Sequence, residues 1–226
     1  MPRVKAMDNV LNMWHCRGLS LKGKVTILKS LALPKLQYVA SVLPVPHAVV
    51  QLVDNMIIDF IWGKKKPKIK KDVIIQNIED GGLKVPHFGD IVKTCKITWI
   101  KRILTSDNAK WKTIFENLIA PMSILHFTET YLNDDLIKTI PLPFYEQIYM
   151  FWNEIKAKPE MINNYQQQIL WHNKFIVVPS GIKVKQKKTP TRCIFWKEFY
   201  KAGVIKIKDL LDGNGNVLSH NKFCLR

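Results

Sequence analysis

The stretch Val49-Val50-Gln51-Leu52-Val53-Asp54-Asn55-Met56-Ile57-Ile58-Asp59-Phe60-Ile61-Trp62-Gly63 decides the fold class. Val49, Leu52, Val53, Met56, Ile57, Phe60 and Ile61 recur at the three- and four-residue steps of one α-helical face. Gln51, Asp54, Asn55 and Asp59 fall on the other side, and Trp62-Gly63 ends the pattern. Upstream, Ser20 is placed to cap a helix through Gly23, Val25, Leu28 and Leu31. Pro34 interrupts that helix before Leu36, Val39, Ala40 and Leu43 resume it, which predicts a kinked helix or two in tandem. Leu43-Pro44-Val45-Pro46 separates this part from the central helix. Downstream, Asp80-Gly81-Gly82 reads as a turn and Leu83-Lys84-Val85 as a short strand. A second amphipathic helix is predicted from about Phe88 to Leu104. Phe88, Ile91, Val92, Cys95, Trp99 and Ile103 face inward in it, while Lys93, Lys96, Lys101 and Arg102 face away.

Beyond Thr105 the elements are shorter. Trp111, Ile114, Phe115 and Leu118 predict one helix. Ile140-Pro141-Leu142-Pro143 breaks the chain before another, from near Tyr145 to Ala157. Residues 173–190 read as a loop with a strand-like patch at Phe175, Ile176, Val177 and Val178. Its basic tip holds Lys183, Lys185, Lys187 and Lys188. Phe195, Trp196, Phe199 and Tyr200 suggest a helix stopped by Gly203, and Ile207 to Leu211 a further short one before the turn Asp212-Gly213-Asn214-Gly215. Ser219 could cap a last helix that the chain leaves truncated. The expected fold is mainly α in two packed parts: a helical module over residues 1–106, and a helical connector over 107–226 with minor short strands.

Length and composition bound the function. The 226 residues suffice for a core, and 47% apolar with 23% charged residues describe a globular chain. Lys and Arg total 35 against 18 acidic residues, a formal charge of +17. Such an excess repels itself unless an anionic partner neutralises it. Nucleic acid is the commonest such partner and an anionic membrane the next. Cys16, Cys95, Cys193 and Cys224 are too scattered for a zinc ladder and read as thiols in a reducing compartment. Met1 to Asn12 lacks the apolar core of a secretory signal, and the chain has no apolar run of about 18 residues, the length that spans a bilayer. A cytoplasmic or nuclear location without a membrane partner is expected.

Several phrases together resemble one family, the LINE-type (non-LTR) retrotransposon reverse transcriptases. Arg17-Gly18-Leu19-Ser20-Leu21-Lys22-Gly23-Lys24-Val25, preceded by Trp14, is similar to the signature that opens their thumb, just after the palm. Leu33-Pro34-Lys35-Leu36-Gln37-Tyr38, Pro44 with Pro46, Phe60-Ile61-Trp62 with its trailing lysines, and Gly81-Gly82-Leu83-Lys84-Val85-Pro86 follow in the family's order. Leu170-Trp171-His172-Asn173, Phe195-Trp196-Lys197, Lys201-Ala202-Gly203-Val204 and Ile207-Lys208-Asp209-Leu210-Leu211 resemble segments that end many such polyproteins. The resemblance implies a thumb-like module followed by a post-thumb connector, gripping an RNA or RNA–DNA duplex beside a palm and fingers carried upstream or on a separate polypeptide. The family's endonuclease, palm and cysteine/histidine knuckle have no counterpart in these phrases.

Polymerase chemistry needs paired Asp carboxylates holding two Mg²⁺ ions about 3.5–4 Å apart. Tyr131-Leu132-Asn133-Asp134-Asp135 has one residue too many between its Tyr and its Asp pair, and it follows the thumb-like segment instead of preceding it. It reads as a solvated turn with Asp capping a helix at Leu136. His15, His47, His87, His126, His172 and His220 form no motif with Cys or carboxylates. No catalytic residue, metal site or cofactor is therefore expected. Trp99, Trp111, Trp152, Trp171 and Trp196 are expected in cores instead of stacked on bases. The candidate nucleic-acid-binding residues are Lys64, Lys65, Lys66, Lys68, Lys70 and Lys71, crowded around Pro67, with Arg17, Lys22, Lys24, Lys29 and Lys35 as a second surface. Lys22 and Lys29 are seven apart and share nearly one helical face. As point charges they would hold phosphates without reading sequence. The rival reading is a structural remnant whose exposed apolar surface drives protein–protein association.

Overall fold

A computed structural model describes residues 2–63, 65–105, 109–119, 123–132, 134–138, 140–156, 165–176 and 197–218. The chain is mainly helical. Among the described residues, sheet-like pairing is limited to isolated bridges, Leu132 with Asn173, Ile169 with Lys206 and Leu211 with Val217. The chain divides into two compact units, Met1–Lys101 and Arg102–Arg226.

In the first unit, α1 (Pro2–His15) buries Met7 and Leu11. Helix α2 (Leu21–Ile27) starts where Ser20 Oγ accepts the Gly23 N–H at 3.2 Å, the predicted cap. It runs into a π-helical turn, Leu28–Ala32, and then α3 (Pro34–Val42). Proline explains the wide turn. A regular helix would aim the Ser30 carbonyl at the nitrogen of Pro34, which has no hydrogen and whose ring would clash. The ladder instead closes from Leu33 N–H to Leu28 O at 2.9 Å.

Helix α4 (His47–Trp62) buries Val53, Ile57, Phe60 and Ile61 and ends at Gly63, whose φ of 63° is the left-handed cap that glycine tolerates. Two residues depart from the periodic reading. Leu52, assigned to the stripe, is 49% exposed, whereas Asp54, assigned to the outer side, is buried. Asp54 sits at the edge of the stripe and is satisfied there. Its Oδ1 accepts the Phe88 N–H at 2.8 Å, and its Oδ2 meets His87 Nε2 at 2.8 Å and Lys71 Nζ at 3.4 Å.

Helix α5 (Lys71–Ile75) buries Ile74 and is followed by the 76–87 segment. Leu83-Lys84-Val85 is not a strand. Lys84 has a φ of 53°, and the nitrogens of Leu83 and Val85 both donate to Ile74 O, at 3.1 and 3.0 Å. Gly82 makes this tight return possible: a Cβ there would stand 2.1 Å from Gln76 O and 2.8 Å from Val73 O. Gly82→Ala is expected to destabilise the protein by about 1–3 kcal/mol, as overpacking against backbone does. A urea denaturation midpoint checks this.

Helix α6 (Phe88–Thr105) buries Phe88, Val92, Ile100 and Ile103. Lys96, predicted to face away, lies on that same stripe and is fully buried, with Nζ donating to Leu43 O at 2.5 Å. Trp99 Nε1 donates to Ser41 O at 2.7 Å. Burial lowers the Lys96 pKa from 10.5 to about 8, against a smaller raising effect of Cys95. Between those values the unfolded chain binds more protons than the folded one, so stability should rise with pH across the window. Lys96→Met should lack this rise, as denaturation at the two ends of the window would show.

In the second unit, α7 (Lys110–Ile119), α8 (Ile124–Glu129) and α10 (Pro143–Ile155) supply an aromatic core, and α9 (Asp134–Ile137) buries Ile137. Phe115 and Phe127 meet edge to face at 5.2 Å, and Phe127 and Tyr149 also at 5.2 Å. Tyr149 Oη donates to Thr130 O at 2.7 Å and accepts the Leu132 N–H at 2.5 Å. A smaller cluster of Leu170, Trp171 and Val204 is flanked by α11 (Lys197–Lys201) and a 3₁₀ turn, Ile207–Leu210. Trp171 Nε1 donates to Val204 O at 2.5 Å. Gly203, with a φ of 85°, follows α11 as expected, and Asp212 Oδ1 accepts the Asn214 and Asn216 N–H groups, both at 2.9 Å, to close the predicted turn. The expected strand patch lies outside the described residues at Val177 and Val178, as do the basic tip at 183–188, Trp196 and Ser219.

Candidate nucleic-acid interface

The cationic residues of the first unit divide by what their side chains touch. Lys24 is half-buried and donates to Ile61 O at 2.7 Å, with its ammonium 5.9 Å from the Phe60 ring centre. A cation on a terminal carbonyl of α4 satisfies that helix end and complements its dipole. Lys71 is tethered to Asp54, and Arg17 lies over the Trp14 ring at 4.3 Å. These three have structural partners. Lys65, Lys66, Lys68 and Lys70 are exposed, and among the described residues no hydrogen bond or ion pair engages their side chains. Lys22, Lys29 and Lys35 are likewise exposed. Lys64 lies outside the described residues.

The loop and the Arg17–Lys35 surface meet at two points. The Lys24–Ile61 bond places α2 at the end of α4, where the basic loop begins. A Cβ on Gly63 would lie 3.7 Å from His15 Nε2, so the end of α1, two residues before Arg17, adjoins the same loop. Lys29 has its pKa lowered, first by partial burial and then by the charge of Lys84, which places these two ammonium groups near one another. Lys84 was missed as a candidate. Its left-handed backbone, φ 53°, carries no signal in a lone Gly-Leu-Lys-Val sequence.

No acidic residue stands between Asp8 and Asp54, or between Asp59 and Asp72. Both cationic stretches lie within those intervals. Neither stretch therefore carries a carboxylate of its own, and Asp54 reaches Lys71 from outside.

The second unit holds groups of a different kind. His126 is buried, with Nδ1 2.9 Å from Ser123 Oγ, and its ring centre lies 6.4 Å from that of His172. Burial lowers both imidazole pKa values to about 4, with His172 adding to the effect on His126, so both are neutral at pH 7. The Tyr131–Leu132 backbone is buried beside Tyr149. Asp134 begins α9, and its side chain and that of Asp135 lie outside the described set. Among the described residues no group of three or more His, Cys, Asp or Glu side chains is placed to hold a metal ion. None of their helices is long and apolar enough to cross a membrane. Cys16 and Cys95 are free thiols. No protein-family model matches the chain, and no solved structure matches it.

Proposed function

We propose that the first unit grips the phosphate backbone of an RNA or RNA–DNA duplex, as a thumb-like module akin to that of non-LTR retrotransposon reverse transcriptases. The observation behind this reading is the row of exposed Lys65, Lys66, Lys68 and Lys70, without acidic partners among the described residues, on a loop that α1 and α2 adjoin at Gly63 and Ile61. Lysines act there as point charges, so affinity comes without base readout. The reading assigns no polymerase step to this chain, because its one Asp-Asp pair, Asp134-Asp135, lacks the spacing that a palm hairpin requires. Palm and fingers would act from upstream or from a separate polypeptide, in the cytoplasm or nucleus. The test is binding of an RNA–DNA duplex across a salt series. Affinity that falls steeply with salt is expected, and affinity indifferent to salt would end this reading.

A second reading has its own observation. Tyr38 is 75% exposed, and Leu31, Val42 and Leu43 are exposed beside it along the α3 segment. An apolar strip of this kind suits protein–protein association. Light scattering with and without nucleic acid separates the readings: assembly that persists without nucleic acid favours association.

A further inference from the structure

A cleft of about 280 Å³ opens beside the basic loop. Its apolar lining comes from Ile58 and Trp62 on α4 and Ile74 on α5. Pro67 and Ile69 complete the apolar part from the loop, and Ile69 is 44% exposed. The charged part consists of Lys68, Lys70 and Lys71, and among the described residues no acidic side chain lines the cleft. Lys71 is partly neutralised by Asp54, which leaves Lys68 and Lys70 as the cations available to a ligand. The floor is built into the fold: Ile74 is buried, and Trp62 sits at the turn that Gly63 terminates.

An occupant of this cleft must be flat or small, apolar on its faces and anionic at its edge. Binding pockets for small molecules run from about 300 to 1,000 Å³, so this space admits one heteroaromatic ring system and little more. A base within a duplex cannot enter, because its faces are stacked and its pairing edge is engaged. A base with no partner presents a bare ring flanked by phosphates. We propose that the cleft takes one unpaired nucleobase of a nucleic-acid strand, its ring against Ile58, Trp62 and Ile69 and its flanking phosphates on Lys68 and Lys70. This rests on the phosphate-binding reading and adds to it a preference for duplexes with an unpaired nucleotide.

The experiment uses the full chain and three 5′-phosphorylated duplexes: one blunt, one with a single-nucleotide 5′ overhang bearing a fluorescent adenine analogue, and one with an abasic 5′ overhang. The base-bearing overhang should bind about 5- to 150-fold more tightly than the abasic one, the range that stacking of one base supplies. Its fluorescence should change on binding. Ile69→Asn keeps the net charge and alters an exposed rim position. It should close most of that gap while leaving the blunt duplex unaffected. Equal affinity of the base-bearing and abasic overhangs overturns the cleft assignment and leaves phosphate binding standing. Failure of all three duplexes to bind at low salt overturns both. Vesicles of phosphatidylserine in phosphatidylcholine that bind more tightly than the overhang duplex, with Ile69→Asn weakening only the vesicles, would give the cleft to a membrane and overturn it too.

Discussion

Replacing Lys65, Lys66, Lys68 and Lys70 together with alanine should flatten the salt dependence of duplex binding by about 3–4 units of log–log slope, since each neutralised phosphate contributes about 0.9. A fourfold rise in salt would then cost the variant roughly 100-fold less affinity than it costs the unaltered protein. The four side chains are exposed and outside the core, so the fold should survive their removal. Lys24→Ala and Lys71→Ala are the informative contrasts. Their ammonium groups are held by Ile61 O and by Asp54. Removing them should lower stability more than it changes the slope. Fluorescence anisotropy across the salt series, beside a denaturation curve for each variant, measures both. A slope unchanged by the fourfold variant would remove the loop from the interface.

Asp54→Ala should have the largest effect on stability of any single substitution considered for the first unit, a loss of about 2–4 kcal/mol. The carboxylate is buried, and it accepts the Phe88 N–H at 2.8 Å at the start of α6. Alanine would strand that buried N–H and release His87, while the charge of Lys71 would lose its partner. The Lys71 contribution is the smallest, because its side chain is 42% exposed and water screens the pair. Asp54→Asn keeps an oxygen for Phe88 but not the charge, and should lose less. Urea denaturation of the two variants resolves the order. Equal stability of Asp54→Ala and the unaltered protein would show that the carboxylate is not the fastening it resembles.

The parts of the fold legible in the sequence are those fixed by near neighbours. The Ser20 cap reaches three residues, and the Gly63 terminus needs only a left-handed glycine after an apolar stripe. The run of α2, π turn and α3 was legible as an interruption at Pro34, though not as a widened turn. What escaped depends on residues distant in the chain. Asp54 looked like the outer flank of a helix because Lys71, His87 and Phe88 are 17 to 34 residues away. Lys96 looked like a surface charge because its acceptor, Leu43 O, is 53 residues away. Leu83-Lys84-Val85 alternates as a strand does, but its nitrogens turn back to carbonyls at the end of α5. The lysine cluster itself was plain in the composition. Which lysines are tethered, and that an apolar cleft lies beside them, emerged only with the tertiary arrangement.

The widened turn at Leu28–Ala32 makes the Leu21–Val42 rod a jointed ruler. The exposed Lys22 and Lys29 are marks on one arm and at the joint, and the exposed Lys35 is a mark on the other. At the joint the backbone ladder closes over a five-residue step at 2.9 Å, the kind of turn at which helices change direction. The angle of that joint therefore sets the spacing between cations on the two arms, while spacing within each arm follows the helical rise.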